Sequence, residues 1–165
     1  KVTFLMVTHD FAEALSLADR AAIMNNGQIE QTGVVETIFK QPRSVFVADF
    51  VGMKNLFPVQ FSGTKAMIKN LTIELGKTPP ENHGFIAIRP EDIVLSRKPF
   101  TSSIRNSFEG KVTEITDQGF YYEVNLLVEE ITFKSLITKS SLFDLNIRED
   151  VNIVLSFKAT AIHTF

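Results

Sequence analysis

The pattern of apolar and polar positions changes character about a third of the way along the chain. Over residues 2–8 apolar and β-branched side chains follow one another without alternation, the pattern of a short strand buried on both faces in a parallel sheet. Phe11, Ala14, Leu15 and Ala18 then recur at helical spacing, with Asp10 placed as N-cap and Glu13 three residues later. This predicts a helix over 10–19 and sets His9 at a strand-to-helix corner, the place where open α/β sheets hold their ligands. Residues 20–25 read as a strand, Asn26-Gly27 as a two-residue hairpin turn and 28–31 as the returning strand. A short helix is predicted over 34–39, broken by Pro42, and a second over 44–52, ended by Gly52.

From about Leu56 the texture is that of closely spaced strands. Apolar runs at 56–61, 66–68, 71–75, 84–88 and 93–95 are separated by Ser62-Gly63, Lys69-Asn70, Gly76 and Pro79-Pro80, which argues for an all-β barrel or sandwich. The segment Arg89-Pro90-Glu91 reads as a strand end stopped by proline, with a structural Arg89–Glu91 ion pair. Further on come strands over 108–115, 121–127 and 131–137, a turn at Asp117-Gln118-Gly119, a short capped helix opening at Thr138 and a long strand over 151–158. The order strand-strand-strand-helix-strand is that of a small five-stranded OB-like barrel. Phe120, Tyr121 and Tyr122 are read as alternating between core and surface.

Composition narrows the function classes. The chain has 165 residues, 44% hydrophobic and 22% charged, with 17 basic against 19 acidic side chains and a net charge of −2. That balance gives no electrostatic footprint for nucleic acid, and no nucleic-acid partner is expected. The absence of cysteine removes disulfides and thiolate metal sites, and no metal site is expected. No apolar run approaches the ~20 residues of a membrane span.

Val7-Thr8-His9-Asp10 with Ala12-Glu13-Ala14 and Ala18-Asp19-Arg20, followed by the run Asn25 to Gly33 and then Phe39 to Gly52 with Asn55, resembles the switch-histidine region and closing helices of ATP-binding-cassette (ABC) transporter ATPases. The resemblance implies that His9 contacts the γ-phosphate of ATP, in company with Mg2+, in an intact subunit. No Gly-x-x-x-x-Gly-Lys-Ser/Thr loop, signature loop or Asp-Glu pair is present in the chain. The chain alone is therefore not expected to hydrolyse ATP, and with Lys1 as its first residue it is expected to be the C-terminal part of a longer subunit. Residues 1–53 are read as the end of an ATPase α/β domain and 54–165 as a β-rich regulatory domain with its core repeat at 102–165.

Three groups of hydrogen-bond donors stand out in that second region: Ser103 with Arg105, Thr138 with Ser140 and Ser141, and Lys158. None includes a carboxylate. Two cations, several hydroxyls and the amides at a helix start suit a tetrahedral dianion. A buried site made of donors alone would leave the hydroxyl of a protonated anion unpaired, at a cost of ~1–3 kcal/mol, so bare oxyanions are favoured. Taken by spacing alone, such residues are most simply caps and solvated surface.

The segments carrying Ser103-Ile104-Arg105-Asn106, Thr138-Lys139-Ser140-Ser141 and Phe157-Lys158 resemble the molybdate/tungstate-binding repeat of TOBE and Mop-type domains. That resemblance implies oxyanion ligation by Ser103, Arg105, Thr138, Ser141 and Lys158, with Asn106, Lys139 and Ser140 as second choices, in a site between two chains. Ile104 stands where the family usually has alanine. Together the resemblances imply the ATP-hydrolysing subunit of a molybdate/tungstate ABC importer, at the cytoplasmic face of the membrane. Its implied partners are the transmembrane permease subunits, a second copy of itself and, indirectly, an extracellular or periplasmic binding protein. Three alternatives stand beside this: an importer tail for a sugar or polyamine that docks without binding anions, a molybdate-responsive transcription regulator, and a single-stranded nucleic-acid binder using Phe120, Tyr121 and Tyr122.

Overall fold

The computed structural model describes residues 3–99 and 102–165. The chain divides into two compact units, residues 1–52 and 53–165.

In the first unit, helix α1 (Phe11–Leu17) starts on Asp10, whose carboxylate accepts from the amides of Ala12 and Glu13. Glu13 does not reach back to its cap; its carboxylate accepts instead from the Thr8 hydroxyl at 2.6 Å. Strands β1 (Arg20–Asn25) and β2 (Gln28–Val34) form the expected hairpin, with Asn25 opposite Gln28. Its turn, Asn26 at φ 48° and Gly27 at φ 80°, needs two left-handed residues in a row, which Asn-Gly supplies at little cost. Helices α2 (Val35–Lys40) and α3 (Val45–Phe50) follow. Ile23, Ile38, Val47 and Val51 form the small core, with Phe11 stacked on Phe39 at 5.8 Å. The buried Gln31 side chain donates to the Gln41 carbonyl and accepts from the Arg43 amide, fixing the bend between the two helices.

The strand expected over 2–8 is not formed. Val2 lies outside the described residues; from Thr3 to Thr8 the chain joins no sheet, and Phe4, Leu5 and Val7 are 71%, 94% and 93% exposed. A strand that is apolar on both faces holds its shape only between two neighbours, and the described part of this unit contains no strand besides the β1–β2 pair.

The second unit contains two five-stranded antiparallel sheets over one core. Its strands are β3 (Asn55–Ser62), β4 (Lys65–Ile68), β5 (Leu71–Glu74), β6 (His83–Ile88) and β7 (Val94–Ser96), then β8 (Asn106–Asp117), β9 (Tyr121–Val128), β10 (Ile131–Thr138), helix α4 (Lys139–Asp144), β11 (Asn152–Phe157) and β12 (His163–Thr164). One sheet runs β5-β4-β3-β6-β12 and the other β10-β9-β8-β11-β7. The same order occurs twice, and the last strand of each half crosses to complete the other sheet. A one-turn 3-10 helix makes each crossing, Pro90–Asp92 in the first half and Ala159–Ala161 in the second.

The expected strand-strand-strand-helix-strand order over 102–165 is present, and the assembly is all-β and OB-like. Its fifth strand, β7, comes from upstream of that repeat, while β12 leaves to pair with β6. Neither half closes its sheet alone. At the last crossing Phe85 and Phe165 exchange both backbone hydrogen bonds, at 2.9 and 3.0 Å. Gly84 allows this approach: a Cβ there would lie 2.0 Å from the Phe165 carbonyl oxygen.

Among the three adjacent aromatics, Tyr122 packs on the core while Tyr121 is 53% and Phe120 91% exposed. Phe120 adjoins Gly119, whose φ of 85° closes the β8–β9 turn.

Replacing Gly84 with alanine forces a main-chain clash that no side-chain rotation relieves. Gly84→Ala is expected to lower stability to urea by about 1–3 kcal/mol and to raise amide exchange at Phe85 and Phe165. Unchanged exchange at both positions would show that the C-terminal strand is not held this way.

Candidate functional site

Strand β8 sets the geometry of the candidate site. Its first residue, Asn106, lies opposite Phe157 at the end of β11. Arg105 precedes the one and Lys158 follows the other, so the two cations flank a single cross-strand pair at the same end of two neighbouring strands. Both are exposed, as is Ser103, and among the described residues no carboxylate forms an ion pair with either cation. Ile104 is half-buried beside them.

Thr138, Ser140 and Ser141 lie elsewhere. Thr138 ends β10 and faces Tyr121, and Tyr122 in turn faces Asp117, the last residue of β8. The hydroxyls of Ser140 and Ser141 each lie 2.9 Å from the Thr138 hydroxyl, which also accepts from the Ser141 amide. Thr138 is thus the N-cap of α4, with Lys139 exposed on the first turn. The structure therefore holds two groups of donors, one at each end of the twelve-residue strand β8. At roughly 3.3 Å per residue such a strand spans on the order of 35 Å if straight. No hydrogen bond or ion pair among the described residues joins the two groups.

Asn106 is 1% exposed and its amide is engaged within the protein. Its oxygen accepts from the Glu74 amide at 2.8 Å and its nitrogen donates to the Glu74 carbonyl at 2.9 Å. Asn55, also 1% exposed, treats β10 in the same way, accepting from the Lys134 amide at 2.7 Å and donating to the Lys134 carbonyl at 2.9 Å. Each half thus clasps the edge strand of the other sheet through an asparagine at the start of its own long strand. Nearby, a Cβ on Gly76 would lie 3.3 Å from the carbonyl oxygen of Ala159, so the loop after β5 runs close against the turn that follows Lys158. The clasps were not anticipated from the sequence. The signal for them is the repeated Asn-x-Phe, Asn55 to Phe57 and Asn106 to Phe108, each preceded by a cation, Lys54 or Arg105.

His9 is exposed at the corner before α1, between Thr8, whose hydroxyl accepts from the Asp10 amide, and the Asp10 cap itself. The Arg89–Glu91 pair expected from the sequence is present at 3.8 Å.

A family model for the TOBE domain matches residues 102–164. This chain carries a TOBE domain. Over its whole length the sequence is similar to the molybdate/tungstate import ATP-binding protein WtpC of Pyrococcus horikoshii, with 41% identity over 165 residues, covering 99% of this chain and 47% of that protein. It is also similar to the spermidine/putrescine import ATP-binding protein PotA of Trichormus variabilis, with 40% identity over 141 residues, 79% of this chain and 36% of that protein. The chain spans about half the length, or less, of these relatives. The expected resemblance to ATP-binding subunits of molybdate/tungstate-type importers is borne out by the first of them. Among solved structures, the cytoplasmic molybdate-binding protein ModG, with molybdate bound, shares the fold at a TM-score of 0.58 and 14% identity, covering 68% of this chain and 95% of that one.

The clasps predict a matched pair of effects. Asn55→Ala and Asn106→Ala each strand a buried amide and carbonyl, so each is expected to cost about 1–3 kcal/mol, read by urea unfolding. A loss confined to one of them would show that the two halves are not held together reciprocally.

Proposed function

We propose that residues 54–165 are the regulatory domain of an importer's ATP-binding subunit, and that this domain binds a bare tetrahedral oxyanion of the molybdate or tungstate class between two copies of the chain. Arg105, Lys158 and Ser103 would come from one copy, Thr138, Ser140 and Ser141 from the other. The observation that carries this reading is the placement of two cations without carboxylate partners at one end of β8 and three mutually bonded hydroxyls at the other. Each cluster is half a donor set, and a two-fold pair of chains would complete two sites. Asn106 would act by positioning, since it fixes the start of β8 from which Arg105 projects; Lys139 would add charge at the rim.

Residues 1–53 would be the closing piece of the nucleotide-binding domain. Bound ATP with Mg2+ supplies the phosphoryl group whose hydrolysis drives transport in the intact subunit. The exposed imidazole of His9 suits donation to a γ-phosphate oxygen. The intact subunit would work with transmembrane permease subunits at the cytoplasmic face of the membrane, supplied by an external binding protein. Anion held between two chains would favour one arrangement of the pair by its differential affinity for it, and so regulate transport.

The similarity to PotA favours a second reading, in which the same domain serves an importer of another solute as a docking module without anion binding. Calorimetric titration of the chain with molybdate, tungstate, sulfate and phosphate separates the two. The first reading predicts binding of molybdate and tungstate well above that of phosphate, weakened at least tenfold by Arg105→Ala and by Lys158→Ala. Equal or absent binding of all four anions, or variants with unchanged affinity, would favour the docking module.

A further inference from the structure

The two halves of the second unit correspond strand by strand, and the correspondence reaches the cations. Asn55 lies opposite Ile88 as Asn106 lies opposite Phe157. Lys54 and Arg89 therefore flank the first pair as Arg105 and Lys158 flank the second. After the cation each chain segment makes the same one-turn 3-10 helix and crosses to the other sheet. Val94 of β7, opposite Ser156, has as its counterpart His163 of β12, opposite Ala87, each in the crossing strand.

We infer that the first half holds the counterpart of the oxyanion site in a closed form, with its own carboxylates standing where an anion would, so that each chain takes one oxyanion and not two. This rests on the anion-binding reading given above. The closing groups sit in the crossing turn. Lys158 is followed by Ala159, Thr160 and Ala161, whereas Arg89 is followed by Pro90, Glu91 and Asp92. The Glu91 carboxylate lies 3.8 Å from the Arg89 guanidinium, whose side chain is only 11% exposed. Asp92 is an exposed member of the same cluster: partial desolvation raises its pKa, and the charges of Arg89 and His163 oppose that rise. A dianion arriving at Arg89 would meet two acidic groups in its first neighbourhood, and like charges at such distances disfavour it.

The hydroxyl end has changed as well. Counted from the hairpins Ile68–Leu71 and Val128–Ile131, Thr78 stands where Thr138 does. The following residues are Pro79, Pro80 and Glu81 in place of Lys139, Ser140 and Ser141. Two amides and two hydroxyls are thereby lost, a carboxylate is gained, and no helix forms there. Both ends of the counterpart site are thus altered in the direction that rejects an anion. The cations that remain serve the structure: Arg89 holds Glu91, and the Arg89, Asp92 and His163 cluster lies where β12 joins β6.

The test is the stoichiometry of tungstate binding to the chain, with Lys54→Ala and Arg105→Ala as the informative variants. One equivalent per chain is expected, with affinity unchanged within about twofold in Lys54→Ala and weakened at least tenfold in Arg105→Ala, with no equivalent of the unaltered affinity left in the latter. Two equivalents, or a residual equivalent in Arg105→Ala that Lys54→Ala then removes, would overturn the closed-site inference while leaving the anion reading intact. No binding by the unaltered chain would overturn both.

Discussion

An extended strand cannot bring its own two ends together, and that constraint governs the second unit. Strand β8 carries the cationic pair at its start and, through β9 and β10, the hydroxyl cluster at its finish. The backbone ladder fixes this separation; no rotamer change of Arg105 or Thr138 closes it. In the proposed site, a donor set complete enough to replace the hydration of a dianion would then draw on two polypeptides. On the proposed reading the fold supplies complementary halves, and a second chain with its strand reversed would supply the missing one at each end.

The halves stay in place because the domain is interlocked. Each sheet borrows its outermost short strand from the opposite half, and each half clasps the other's edge strand with a buried asparagine. Amide-to-backbone clasps inside an apolar core are strongly directional, since displacement leaves polar groups without water or partner. The Asn106 clasp lies one residue from Arg105, so the backbone that presents the cation is fixed by the body of the domain. In the first half acidic residues and prolines occupy the positions that carry hydroxyls and small residues in the second, and the local chemistry becomes that of an ion cluster around Arg89.

Much of this was legible in the sequence where local rules decide the outcome. Asn26-Gly27 dictated its hairpin, Asp10 and Ser44 capped their helices as their side chains allow, and short apolar runs between turn residues marked most strands of the second unit. Local patterns failed where partners decide. Residues 2–8 have the composition of a central strand yet join no sheet among the described residues, because composition cannot provide neighbours. The crossings of β7 and β12 were invisible for the same reason: two or three residues carry almost no periodic signal, and their pairing joins residues as distant as Ile86 and Thr164. The candidate ligands were found by residue type and resemblance, whereas their division into two distant groups emerged only from the register of β8, β9 and β10.

The central claim is that an anion site is shared between chains, and mixing two complementary variants tests it most directly. Arg105→Ala removes the cationic half; Thr138→Val with Ser141→Ala removes the hydroxyl half. Each variant alone should bind tungstate weakly. Mixed in equal amounts and allowed to exchange subunits, they should regain binding, because each hybrid pair contains one site built entirely from intact halves. A mixture that binds no better than the two variants measured separately would contradict a site divided between chains.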